Sequence, residues 1–141
     1  MNGRWTTLWR RRRLVAEAGA ALLRANCTVL LARGRRLTRS LGDPAEDGPS
    51  LPTARDLAAA RDVGWAVELL AVRGPLRTAC LGQALAARRL LQRRGVRSTL
   101  TLGLRRRDDG GLGAHAWVRV GDHTVTGGRG RSSFAPVAGF R

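Results

Sequence analysis

Residues 77–95 read RTACLGQALAARRLLQRRG, and the hydrophobic period of the chain changes just after them. From about Thr78 or Ala79 to Arg94 the apolar residues recur at helical spacing, and Gly95 supplies a C-terminal cap. The arginines before Gly95 suit the negative end of the helix dipole. Beyond it, Val96, Leu100, Leu102 and Leu104 alternate with Arg97, Thr99, Thr101 and Gly103, which is the period of a strand. Arg105 to Gly113 reads as a loop. AHAWVRV at 114–120 reads as a second strand, with Ala116, Val118 and Val120 on one face and His115, Trp117 and Arg119 on the other. Gly121-Asp122 makes a tight turn, and His123 to Thr126 returns as a third strand. The tail, GGRGRSSFAPVAGFR, reads as loop anchored by two Phe.

Upstream, Thr53 is a helix N-cap with Asp56 in capping-box position. That helix runs to about Val72, with Leu57, Ala60, Gly64, Val67 and Leu70 on its inner face, and Arg73-Gly74-Pro75 ends it. LGDPAEDGPSLP at 41–52 is linker-like. Trp5 to Leu37 reads as a long amphipathic helix with Leu8, Val15, Leu22, Val29 and Leu37 near heptad spacing; Gly34 frays its end. Helices first and an antiparallel sheet second make the expected class α+β, with N-terminal helices packed on a small sheet. The expected division is an N-terminal helix at 1–40, a linker at 41–52 and a core at 53–141.

The net charge is +16 and all 26 basic residues are arginine, so acidic partners are attracted, whether nucleic acid, anionic lipid or peptide. Two cysteines are too few for a disulfide framework and read as reduced thiols of a cytosolic protein. No signal peptide is visible. The apolar tract Leu14 to Ala32 is interrupted by Glu17, Arg24 and Asn26 and falls short of the roughly 20 apolar residues of a membrane span. Two Cys and two His at these spacings make no credible zinc set, and no cofactor is indicated.

Cys80 is the residue that raises a chemical question. A cysteine in a first helical turn faces unsatisfied N–H groups and the positive end of the dipole, and both favour thiolate over thiol. The same N–H groups can hold a developing oxyanion. A histidine on a later strand, His115, is the expected base, delivered from a separate element as in papain-like and transglutaminase-like thiol enzymes. The alternative is that Cys80 is a small buried hydrophobe and Trp117 simple core filling. Cys27, mid-helix among Leu and Ala, reads as such a buried hydrophobe. His123, beside the turn, is a weaker base. Gln83, one turn after Cys80, lines the cleft or lies on the helix surface. Arg88-Arg89, Arg93-Arg94 and Arg105 to Arg107 read as solvated faces.

CLGQALAARRLLQRRGVRSTLTLGLRR followed by AHAWVRVGDHTVTGG resembles the stand-alone leader peptidases of lasso-peptide biosynthesis, a transglutaminase-like cysteine protease family. The resemblance covers about Asp56 to Phe140, including the closing FAPVAGF, and only loosely the N-terminal helix. It implies a transglutaminase/papain-like core with Cys80 as nucleophile and His115 as general base and acid. The implied reaction is hydrolysis of one peptide bond, freeing a core peptide from its leader. The implied partners are the precursor peptide, a separate leader-recognition protein and an ATP-dependent lasso cyclase that closes the macrolactam. The family places an aspartate roughly a dozen residues after the histidine, to orient the ring. Here Thr124 to Gly130 contains no carboxylate. Asp122 sits at the turn, roughly 17–20 Å along the strand from His115 at about 3.3 Å per residue. Asp108 or Asp109 folding back, the Thr126 hydroxyl on the His115 face of a simple hairpin, a backbone carbonyl or a water are the alternatives. A non-catalytic scaffold of the same fold and, less favoured, a basic nucleic-acid-binding module are the rival functions. Aromatics at 4% and the lack of a recognised binding motif count against the last.

Overall fold

In the computed structural model, Leu14, Ala18, Ala21, Leu22 and Ala25 of the first helix form one buried stripe at spacings of four, seven, eight and eleven. The structure describes residues 3–31, 39, 41, 43–44, 51–74 and 78–141. The helix, α1, spans Gly3–Leu31. Of the expected heptad set, Leu22 is fully buried and Val29 packs against the core, whereas Leu8 is exposed and Leu14 is buried in place of Val15. The expected continuation to Leu37, including Gly34, lies outside the described residues. By length and composition alone Thr7–Leu31 also passes as a membrane span, but its inner stripe belongs to the core shared with the other helices.

Helix α2, Ala54–Val72, starts at the predicted capping box. Asp56 N–H donates to Thr53 Oγ1 at 3.2 Å, and Thr53 N–H donates back to the Asp56 carboxylate at 2.9 Å. Donation to the carboxylate from the Thr53 amide, and then from its hydroxyl, holds the Asp56 carboxyl below its usual range. Ala60, Val63, Val67 and Ala71 bury its inner face. The end expected at Arg73-Gly74 is observed, and Pro75 lies outside the described residues.

Helix α3, Cys80–Gln92, is the central element. Ala84 to Arg88, Leu90 and Leu91 are all buried, as expected of a helix covered on most sides. It packs against α1 and α2 on one side and the sheet on the other. One expectation fails here. Arg88 is buried, 4% exposed, and its Nε and Nη1 have no partner. Arg94 is also drawn inward, to Glu17 of α1 at 2.7 Å.

Strands β1 (Thr99–Arg106), β2 (Leu112–Val120), β3 (His123–Thr126) and β4 (Ala135–Phe140) form one antiparallel sheet in the order β3-β2-β1-β4. The 105–113 loop is shorter than expected, because Arg105 still pairs with Gly113 and Arg106 with Leu112. The tail is not loop: after a 3-10 turn at Arg131–Ser133 it pairs with β1 as an edge strand. Pro136, Gly139 and a register shift opposite Leu102/Gly103 break the period that would have revealed it. Leu100, Ala116, Val118 and Val120 face the helices and join Leu22, Leu90 and Leu91 in a single core. Each such fully buried Leu or Val contributes about 1.5–3 kcal/mol.

Candidate active site

The polypeptide enters α3 through Ala79, whose extended backbone (φ −61°, ψ 156°) makes it the N-cap without a side-chain cap. The first intrahelical bond is Gln83 N–H to Ala79 O at 3.1 Å. The amides of Cys80, Leu81 and Gly82 therefore precede the helical ladder and keep their donors. Gln83 does not serve as a free donor in the cleft. Its Nε2 donates to the Thr78 carbonyl at 2.9 Å, which fixes the residues just before Cys80. Cys80 is half-buried against the core.

His115 is the fourth residue of β2 and is half-buried. Its Nε2 lies 2.8 Å from the carbonyl oxygen of Gly127. A carbonyl only accepts, so Nε2 carries the hydrogen and Nδ1 keeps its lone pair. The ring sits between Trp117 and Phe134, with centroids at 5.9 and 5.0 Å. Arg105 also lies over the Phe134 ring, 4.9 Å from its centroid. This packing depends on Gly103, which pairs with His115 on β1: a Cβ there would sit 2.7 Å from the Trp117 ring.

Gly127 is shaped for its role. Its φ of +73° is a conformation that L side chains rarely adopt, and a Cβ would run into the carbonyl oxygen of Ala116 and the backbone of Trp117. Among the four alternatives for orienting His115, the structure thus uses a backbone carbonyl, at the chain position where the family pattern has its aspartate. Thr126 does not share the His115 face. A register shift between Val118 and Arg119 makes Thr126 pair with Val118, and its hydroxyl is buried without a partner. Asp122 is held by Arg119 at 2.8 Å, and Asp109 by Arg107 at 2.7 Å and the Gly111 amide at 2.9 Å. None of these carboxylates hydrogen-bonds the ring.

Cys80 and His115 come from neighbouring elements. The turn at 93–98 returns β1 beside α3, with Val96 N–H bonded to Leu91 O, so the start of α3 lies toward the end of the sheet where β2 begins. Alternation nevertheless puts the imidazole on the sheet face opposite Ala116 and Val118. Among the described residues no hydrogen bond links Cys80 to His115. His123 is half-buried at the far end of the hairpin, paired with Val120. Cys27 is exposed, not buried as its apolar neighbours suggested, because it falls on the outer side of α1. No group of three or more His, Cys, Asp or Glu side chains that could hold a metal occurs among the described residues.

A family model described as the transglutaminase-like superfamily matches residues 21–139, which covers the last third or so of α1, both other helices and nearly all of the sheet. No curated protein and no solved structure matches the chain.

Proposed function

From the premise that this chain belongs to the transglutaminase-like superfamily, we propose that it is a cysteine peptidase with Cys80 as nucleophile and His115 as base. The observation that supports this most is the hydrogen bond from His115 Nε2 to the Gly127 carbonyl. It leaves Nδ1 as the basic nitrogen and fixes the tautomer that a general base needs.

In this reading Nδ1 takes the proton of the Cys80 thiol. The thiolate adds to the scissile carbonyl carbon, and the developing oxyanion is met by the unspent amides at the start of α3. The imidazolium returns its proton to the leaving amine as the C–N bond breaks, which leaves a thioester on Cys80. Water, deprotonated by the same Nδ1, then hydrolyses the thioester and restores the thiol. This reading requires side-chain movement that brings Sγ and Nδ1 together beside the start of β2, which β3, paired only with Val118 to Val120, leaves uncovered. The Gly127 carbonyl stabilises the imidazolium less than a carboxylate would, so turnover is slower than with a full triad but not abolished.

The substrate we assign is a lasso-peptide precursor, cut between leader and core, with a separate leader-recognition protein presenting it and a separate cyclase closing the macrolactam. Precursor, recognition protein and this chain are incubated together and the products weighed by mass spectrometry. Release of the leader by the wild type and not by Cys80→Ala is the expected result; cleavage by Cys80→Ala rules out the assigned nucleophile. A second reading, a non-catalytic scaffold of the same fold, is favoured by the carbonyl in place of a carboxylate and by the lack of a Cys80–His115 hydrogen bond. In that case wild type and variant leave the precursor equally intact while both support the cyclase.

A further inference from the structure

The sheet face that carries His115 and Trp117 continues past Arg119 into an open groove of about 1260 Å³. That exceeds the roughly 300–1,000 Å³ of small-molecule sites, so its size suits a chain, not a metabolite. Thr99 and Thr101 of β1 line its floor, Arg61 and Arg97 stand at its rim, and Arg119 rises from β2. Asp122 is its one acidic residue and is already taken by Arg119. Arg61 and Arg97 are exposed and make no ion pair among the described residues.

Two polar groups in the groove lack partners. Ser98 is 9% exposed and its Oγ has no hydrogen bond; the Nε of Arg119 is buried and likewise unbonded. One wall is β4, an edge strand whose outer side is bridged at Pro44–Phe140 and, just past its end, by the Arg141 amide to the Asp43 carbonyl at 2.8 Å. No Trp or Phe lines the groove, so nucleobases find no large aromatic platform there.

We infer that this groove binds an extended acidic peptide segment, its carboxylates on Arg61 and Arg97 and its backbone along the threonines and β4. Treating that segment as part of the substrate rests on the peptidase reading; the binding itself does not, because it is tested without the thiol.

Fluorescence anisotropy at 150 mM salt, near physiological screening, measures binding of full-length Cys80→Ala protein to a labelled peptide of alternating Glu and Val. Its Gln-for-Glu counterpart and an oligothymidylate of equal charge serve as comparisons. Saturable binding of the Glu peptide alone is expected. It should weaken about tenfold or more in Arg61→Gln/Arg97→Gln, whose exposed side chains make no ion pair among the described residues, and be unchanged in Arg10→Gln/Arg12→Gln on α1. Equal weakening by the two pairs, or tighter binding of the oligothymidylate, overturns the proposal. Glu-peptide binding without precursor cleavage by the wild type leaves the groove standing and removes the peptidase; cleavage without binding does the reverse.

Discussion

The Nε2 of His115 donates to the carbonyl oxygen of Gly127, 12 residues further on, at 2.8 Å. A backbone group thereby sets the tautomer of the candidate base, and it does so only while Gly127 keeps its left-handed conformation.

Putting a side chain at 127 disrupts the site even when that side chain is the family's aspartate. The positive φ alone costs about 1–2 kcal/mol for an L residue, and the clash with the Ala116 carbonyl and Trp117 adds to it. Both Gly127→Ala and Gly127→Asp are expected to lower unfolding free energy by at least about 2 kcal/mol, measured by urea titration. A Gly127→Asp variant as stable as wild type, with faster peptide cleavage, would show that the backbone there is free to become a carboxylate site.

The α1–α3 contact is acid-sensitive. The hydrogen bond from Arg94 holds the Glu17 carboxyl below its ordinary 4.5, against the upward push of partial burial, and Arg13 adds to the lowering. A depressed folded-state value stabilises the fold above the ordinary carboxylate range and loses that contribution as pH falls through the folded value. With both side chains under a third exposed, Glu17→Gln is expected to cost about 1 kcal/mol at pH 7. The gap between variant and wild type should narrow as pH falls from 4.5 toward 3, read by chemical denaturation at pH 7 and pH 3. A gap of the same size at pH 3 would mean that packing, not charge, is what the substitution removes.

Arg88 is the least comfortable residue in the core. Burial lowers the affinity of its guanidinium for the proton, and the charge of Asp43 only partly offsets this. Replacing a poorly compensated buried charge with an apolar residue of similar length is often stabilising, by about 1–4 kcal/mol. Arg88→Met should raise the thermal midpoint; a lowered midpoint would reveal a compensating interaction for the guanidinium in the folded protein.

Much of this was readable from residue order. The α2 capping box, the start of α3 to within one or two residues of Cys80, the two faces of β2 and the His123–Thr126 return all follow from local rules about caps, dipoles and period. What stayed hidden is non-local. β4 carries Pro136 and Gly139, so only its pairing with β1 makes it a strand. The shift that turns Thr126 away from His115 is a single extra residue in β3, with no signature in HTVT. Gly127 and Gly103 looked like ordinary loop and strand glycines; an aromatic ring and a carbonyl packed against them give them meaning. Cys27 was misjudged because its apolar neighbours do not show which side of α1 meets the core. Arg88 was misjudged because an arginine pair inside a helix ordinarily reaches water.

The central claim is that His115 activates Cys80. The direct measurement is the rate of iodoacetamide alkylation at residue 80 at pH 7, in a Cys27→Ser background that removes the exposed second thiol. A slowing of about tenfold or more in His115→Ala, with Gly127-held His115 present in the reference protein, is the expected result. Equal rates in the two proteins, both folded by circular dichroism, would contradict it.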